Sequence, residues 1–112
     1  MELVQRPQAN NVLVIEFQGD NLDASNVRDF KTSMAPLQQA HHRIVMDMSQ
    51  MKFVDSSGLG ALISCLRETN ARKGDFRLCA LTPSVNALFE LMRMHRVFSI
   101  HPSQDLAVAS FD

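Results

Sequence analysis

Residues 43–48, R-I-V-M-D-M, hold three consecutive apolar side chains with no polar alternation, the pattern of a parallel strand covered on both faces. Such a strand needs helices above and below it, and the flanking segments supply them. Before it, Val27, Phe30, Met34 and Leu37 recur at helical spacing, with Asp23 or Ser25 placed to cap the helix. Pro36 predicts a kink or an early end there. After it, Leu59, Leu62, Ile63 and Leu66 repeat at helical spacing, and Glu68 with Arg72 stands in the favourable i, i+4 order. With Gly74 as a stop, this predicts a helix from about Ser57 to Lys73.

The remaining elements continue the alternation. Apolar runs at residues 2–5 and 12–17, separated by R-P-Q-A-N-N, predict an opening strand pair. F-R-L-C-A-L is a further strand. Thr82 and Pro83 form a cap and a first-turn proline, opening a helix buried through Val85, Leu88, Phe89 and Met92. V-F-S-I reads as an edge strand, and Pro102 precedes a short helix burying Leu106 and Ala109. Strand and helix in turn imply one α/β domain over residues 1–112, a mixed, mostly parallel sheet of four to five strands covered by about four helices.

Composition narrows the function. The 112 residues are 46% hydrophobic and 21% charged, ordinary for a globular domain, and the formal net charge of -1 gives no basic footprint for nucleic acid. The longest apolar runs fall far short of the roughly 20 residues a membrane helix needs, and the amino terminus carries no signal pattern. The expectation is a cytoplasmic protein with neither nucleic acid nor membrane as partner. Cys65 and Cys79 sit in apolar stretches without C-x-x-C spacing, as small buried hydrophobes would.

In parallel sheets, sites gather where strands feed the next helix, which here is residues 49–57. The stretch F-V-D-S-S-G-L-G, residues 53–60, lies at that turn. Asp55, Ser56 or Ser57 can each cap the helix, and capping accounts for one of them. A second hydroxyl, with Gly58, Gly60 and Ala61 leaving the first turn almost bare, suits close approach by another protein. A phosphate on a hydroxyl there would add about -1.5 to -2 charges beside Asp55 and penalise a complex more than the free domain.

The residues F-Q-G-D-N-L-D (17–23), I-V-M-D-M (44–48), F-V-D-S-S-G-L-G (53–60) and L-T-P-S-V (81–85), the last followed by L-F-E-L-M, make the chain resemble the bacterial anti-anti-sigma factors of the STAS family over nearly its whole length. The resemblance implies a partner-switching protein. Unphosphorylated, it would bind a serine-kinase anti-sigma factor and free the sigma factor; that kinase, using ATP, would phosphorylate Ser56, and a PP2C-type phosphatase would reset it. Asp55 and Asp23 match the acids beside that serine and in the earlier loop. Ser57, Gly58 and Leu59 match the start of the docking helix. The segment G-D-N-L-D is one residue longer here than the family's common G-x-L-D. Other members serve as non-switching scaffolds or adaptors in signalling or lipid-transport complexes, and Ser56 favours the switching type.

Enzyme readings fare worse. No G-x-S-x-G elbow surrounds Ser56 or Ser57, the four histidines lack metal-ligand spacing, and G-x-G without a following lysine is no phosphate loop. No catalytic residue and no cofactor is expected, and ATP belongs to the partner.

Overall fold

The computed structural model describes residues 1–111. Strand β1 (Leu3–Pro7) turns back through a single 3-10 turn into β2 (Val12–Phe17), and the two pair antiparallel with Leu3 opposite Phe17. The paired asparagines of the loop have a physical role: Asn10 and Asn11 sit at φ 62 and 59, a left-handed conformation that asparagine tolerates better than most residues. Next come β3 (Asn21–Leu22), α1 (Val27–Ala40), β4 (Arg43–Asp47), β5 (Phe53–Val54) and α2 (Ser56–Ala71). The chain ends with β6 (Asp75–Cys79), α3 (Pro83–Leu91), β7 (Ile100–His101) and α4 (Gln104–Ala109).

The main sheet has the order β1-β2-β4-β6-β7, parallel throughout except for β1. Its middle strand is β4, whose Ile44, Val45 and Met46 are fully buried, as continuous apolarity requires. One face carries Leu13, Ile15, Phe17, Ile44, Met46, Phe76 and Leu78 into the core shared with α1, α2 and α3. The opposite face is narrower. There Val12, Val14, Val45 and Cys79 pack under Ala107 of α4. Both cysteines are free and buried, and burial pushes each thiol up to about 12, which leaves them as inert space-filling groups.

Several local expectations change in the structure. Helix α1 continues four residues past Pro36, whose ring lies on the exposed side where the orphaned carbonyl can meet water. The left-handed residue ending α2 is Lys73 (φ 64), with Gly74 N–H bonded back to Thr69 O. Gly74 is required for space instead, since a Cβ there would lie 2.1 Å from His42 O. Thr82 stands at the α3 cap position, but its hydroxyl donates to Met51 O at 2.7 Å. Met92 is half exposed because α3 has ended and Arg93 turns left-handed. In α4 the buried residue is Ala107, whereas Leu106 and Ala109 face outward.

A second, two-stranded sheet joins β3 to β5 in parallel, with Asn21 opposite Phe53 and Leu22 opposite Val54. It brings the loop before α1 against the loop before α2, and so builds the candidate site.

Candidate functional site

The site is the amino end of α2 and the β3–α1 loop beside it. Asp55 is the N-cap in extended conformation, and its Oδ1 accepts from Gly58 N–H at 2.9 Å. Its second oxygen reaches the other loop, accepting from Ala24 N–H at 3.1 Å. Both carboxylate oxygens are therefore engaged, one capping the helix and one tethering residues 31 positions earlier in the chain. Backbone bonds from Lys52 and Phe53 N–H to Asp20 O, and from Asp55 N–H to Leu22 O, complete the junction. From the other side, Thr82 and Ser84 hydroxyls donate to Met51 and Lys52 carbonyls.

Asp23 organises the second loop. Its carboxylate accepts from Ser25 N–H and Ser25 Oγ on one oxygen and from Asn21 Nδ2 on the other. The Ser25 hydroxyl bond, then the Ser25 amide, hold its pKa below the ordinary aspartate range, with Asn21 adding to them against the opposing effect of desolvation. Asn26 sits at the N-cap position of α1, yet its side chain turns back to Asp23 N–H and Asn21 O, so α1 begins without a side-chain cap. Neither alternative read from the sequence, Asp23 or Ser25, caps α1 by its side chain. The signal for this network was present in N-L-D-A-S-N, whose polar residues favour local backbone bonding over helix.

Because the folded Asp23 holds its proton less tightly than an unfolded one, its contribution persists above the unfolded value and is lost as pH falls through the lowered folded value. An NMR titration of the Asp23 carboxyl carbon should show a midpoint below that of a free aspartate, with Ser25 amide exchange accelerating through the same range. A midpoint at or above the free value would discard the loop network as drawn.

Ser56 and Ser57 follow Asp55 as the first two residues of α2. Both are exposed, and among the described residues neither hydroxyl has a hydrogen-bond partner. Gly58 and Leu59 turn inward instead: a Cβ on Gly58 would lie 2.1 Å from Leu22 O, and Leu59 belongs to the core. Gly60 returns to the surface, with nothing within 4 Å of where its Cβ would be. Asp23, Asp55, Ser56 and Ser57 are thus brought together at one end of the molecule, while Gly58 and Leu59 fix the helix beneath them. Among the described residues, no set of three His, Cys, Asp or Glu side chains converges on a metal position, and no helix is long and apolar enough to cross a membrane.

Residues 4–107 match the STAS domain family. The chain belongs to the STAS domain family. Among curated proteins, an anti-sigma F factor antagonist of Paenibacillus polymyxa is 22% identical over 111 residues, covering 97% of this chain and 94% of the relative. Among solved structures, an anti-sigma-factor antagonist (STAS) domain protein from Planctomyces limnophilus superposes with a TM-score of 0.84 at 20% identity, covering 98% of each chain. The anti-sigma factor antagonist SpoIIAA matches in its unphosphorylated form with a TM-score of 0.77 at 20% identity, over 98% of this chain and 96% of that one. The Bacillus protein in its phosphorylated form matches with a TM-score of 0.70 at 22% identity, over 99% of this chain and all, 100%, of that one. At these identities the structural likeness establishes the fold.

Proposed function

We propose that this STAS domain is an anti-sigma factor antagonist that works by partner switching, with Ser56 as the switch. The observation that carries the reading is the Ser56 hydroxyl: exposed, free of internal hydrogen bonds, and held at the first residue of α2 by an Asp55 whose two oxygens are both occupied. A hydroxyl tied into capping would be needed for the fold. This one is available for chemistry.

Unphosphorylated, the surface of Ser56 and Ser57, flanked by Asp23 and Asp55 and held in place by Gly58 and Leu59, docks a serine-kinase anti-sigma factor and releases its sigma factor. The kinase supplies ATP. Ser56 Oγ attacks the γ-phosphorus, the bond to the ADP oxygen breaks, and the hydroxyl proton passes to a base of the kinase. The phosphoserine brings about -1.5 to -2 charges beside Asp55. In the free domain water and the open N–H groups of the α2 amino end offset that charge. In the complex it must be buried against the partner, so the complex dissociates without refolding of the domain. A PP2C-type phosphatase hydrolyses the phosphoester and restores docking. The names of the relatives support an anti-sigma factor as partner, and a relative solved with and without phosphate supports this kind of control.

Incubation with the cognate kinase and ATP should add one phosphate, located on Ser56 by mass spectrometry. Ser56→Asp should weaken kinase binding ten-fold or more, about 1.4 kcal/mol, whereas Ser56→Ala should bind and resist switching. Phosphate on Ser57, or an Asp variant of unchanged affinity, would refute the assignment.

A further inference from the structure

Helices α1 and α2 leave a cleft of about 220 Å³ between them, lined by Lys31, Ala35, Gln38, Gln39, Ala61, Ser64, Cys65 and Glu68. Its inner wall holds one unusual group. Gln38 is 7% exposed, and its Nε2 donates to Cys65 O at 2.9 Å and to Thr69 Oγ1 at 3.1 Å. Thr69 Oγ1 in turn donates to Cys65 O at 2.8 Å, so the Gln38 nitrogen, not its oxygen, must face that pair. This fixes the amide. Among the described residues, the remaining acceptor, Oε1, receives no hydrogen bond, and no side-chain nitrogen or oxygen sealed from solvent lacks a partner. Oε1 is therefore open, and the cleft is what Gln38 lines.

The cleft lies farther along the helix that carries the switch. Ser57, Ala61, Ser64 and Glu68 follow one another at three- and four-residue spacing along α2, so the cleft begins about one turn below Ser57 on the same helical face. Cavities for small ligands run from roughly 300 to 1,000 Å³, and this one is smaller, the size for a single protein side chain. Lys31 and Glu68, the charged residues of its lining, are of opposite sign, so the cleft carries no net charge to select a charged guest.

We propose that the cleft receives one uncharged side chain of the kinase partner, an apolar stem ending in a single N–H or O–H donor to Gln38 Oε1. A solvent-open acceptor bonds water in the free domain, and a donor arriving on an apolar stem replaces that bond while covering the exposed Ala35 methyl. Phosphorylation of Ser56 and occupation of the cleft are then opposed events on one helix. The inference rests on the partner-switching reading above.

The test uses the full chain and the serine kinase that phosphorylates it. Ser64→Leu and Ala35→Leu, both at exposed helical positions, plug the mouth of the cleft and should each weaken kinase binding ten-fold or more with unchanged thermal stability. In the wild-type complex the Gln38 side-chain amide signals should shift in the NMR spectrum. Unmoved Gln38 signals would overturn the proposal whatever the leucine variants do, because the cleft would not have been entered. Wild-type affinity of Ser64→Leu alongside loss in Ser56→Asp would also overturn it and leave partner switching standing. Full affinity of Ser56→Asp would instead remove partner switching and this inference together.

Discussion

Gly58→Ala is expected to destabilise the domain by about 2–3 kcal/mol and to lower Tm by roughly 10 °C, whereas Gly60→Ala, two residues later, should raise stability by about 0.5–1 kcal/mol. Both glycines lie in the first turns of α2, where alanine is the better helix former. The difference is what stands opposite. A Cβ on Gly58 would meet Leu22 O at 2.1 Å and Leu22 C at 2.8 Å, backbone atoms of β3 that cannot rotate away. Relief requires α2 to retreat from β3, and that breaks the Asp55 N–H to Leu22 O bond and pulls Asp55 Oδ2 from Ala24. The variant should thus also loosen the β3–α1 loop, visible as faster amide exchange at Ala24. At Gly60 the added methyl enters open space, so only the propensity gain remains. Thermal unfolding of the two variants decides the matter, and a Gly58→Ala protein as stable as wild type would show that α2 does not pack on β3 as closely as described.

The same pair shows what could be read from the chain and what could not. The small residues after D-S-S were legible as a bare first turn, but sequence spacing cannot tell a glycine that accommodates the domain's own backbone from one that faces solvent. That distinction depends on β3, a two-residue strand pairing with another two-residue strand, too short to leave a periodic signal. The central strand was legible because burial on both faces writes an unbroken apolar run. The α1 cap was not, since Asp23, Ser25 and Asn26 are all cap formers and the choice is made by where the loop meets Asp55. In α4 the apolar residues Leu106, Ala107, Val108 and Ala109 are consecutive, so nothing local fixes which of them faces the sheet. Contact with Val12, Val14 and Val45 selects Ala107. The exposed serines follow from strand-to-helix topology, while the cleft at Gln38 depends on how two helices pack, which only coordinates reveal.

The second large effect is expected at Gln104, where Gln104→Glu should cost about 3 kcal/mol at pH 7 and make stability rise as pH falls toward 5. On the face under α4, Glu16 and Asp47 are register partners on neighbouring strands, and the Gln104 amide donates to Glu16 Oε2 at 2.7 Å and to Asp47 Oδ2 at 2.6 Å. Arg6 binds the same Glu16 oxygen from outside at 2.7 Å, and with Gln104 it holds Glu16 below the ordinary carboxyl range. A glutamate at 104 removes both donors and sets a third carboxylate against two others. Full ionic repulsion is not sustained, because one carboxyl can take up a proton instead, and raising a carboxyl from about 4.5 to 7 costs roughly 3.4 kcal/mol, which caps the loss. The shared proton also fixes the sign: the folded variant binds more protons than its unfolded chain, so its stability is greatest below the unfolded carboxyl value and is lost as pH rises through the elevated folded one. Gln104→Met, which deletes the donors without adding charge, should lose less and show no such pH dependence. Tm measured between pH 5 and 8 separates the three proteins. A Gln104→Glu variant tracking wild type across that range would mean that α4 is not held to the sheet through these two carboxylates.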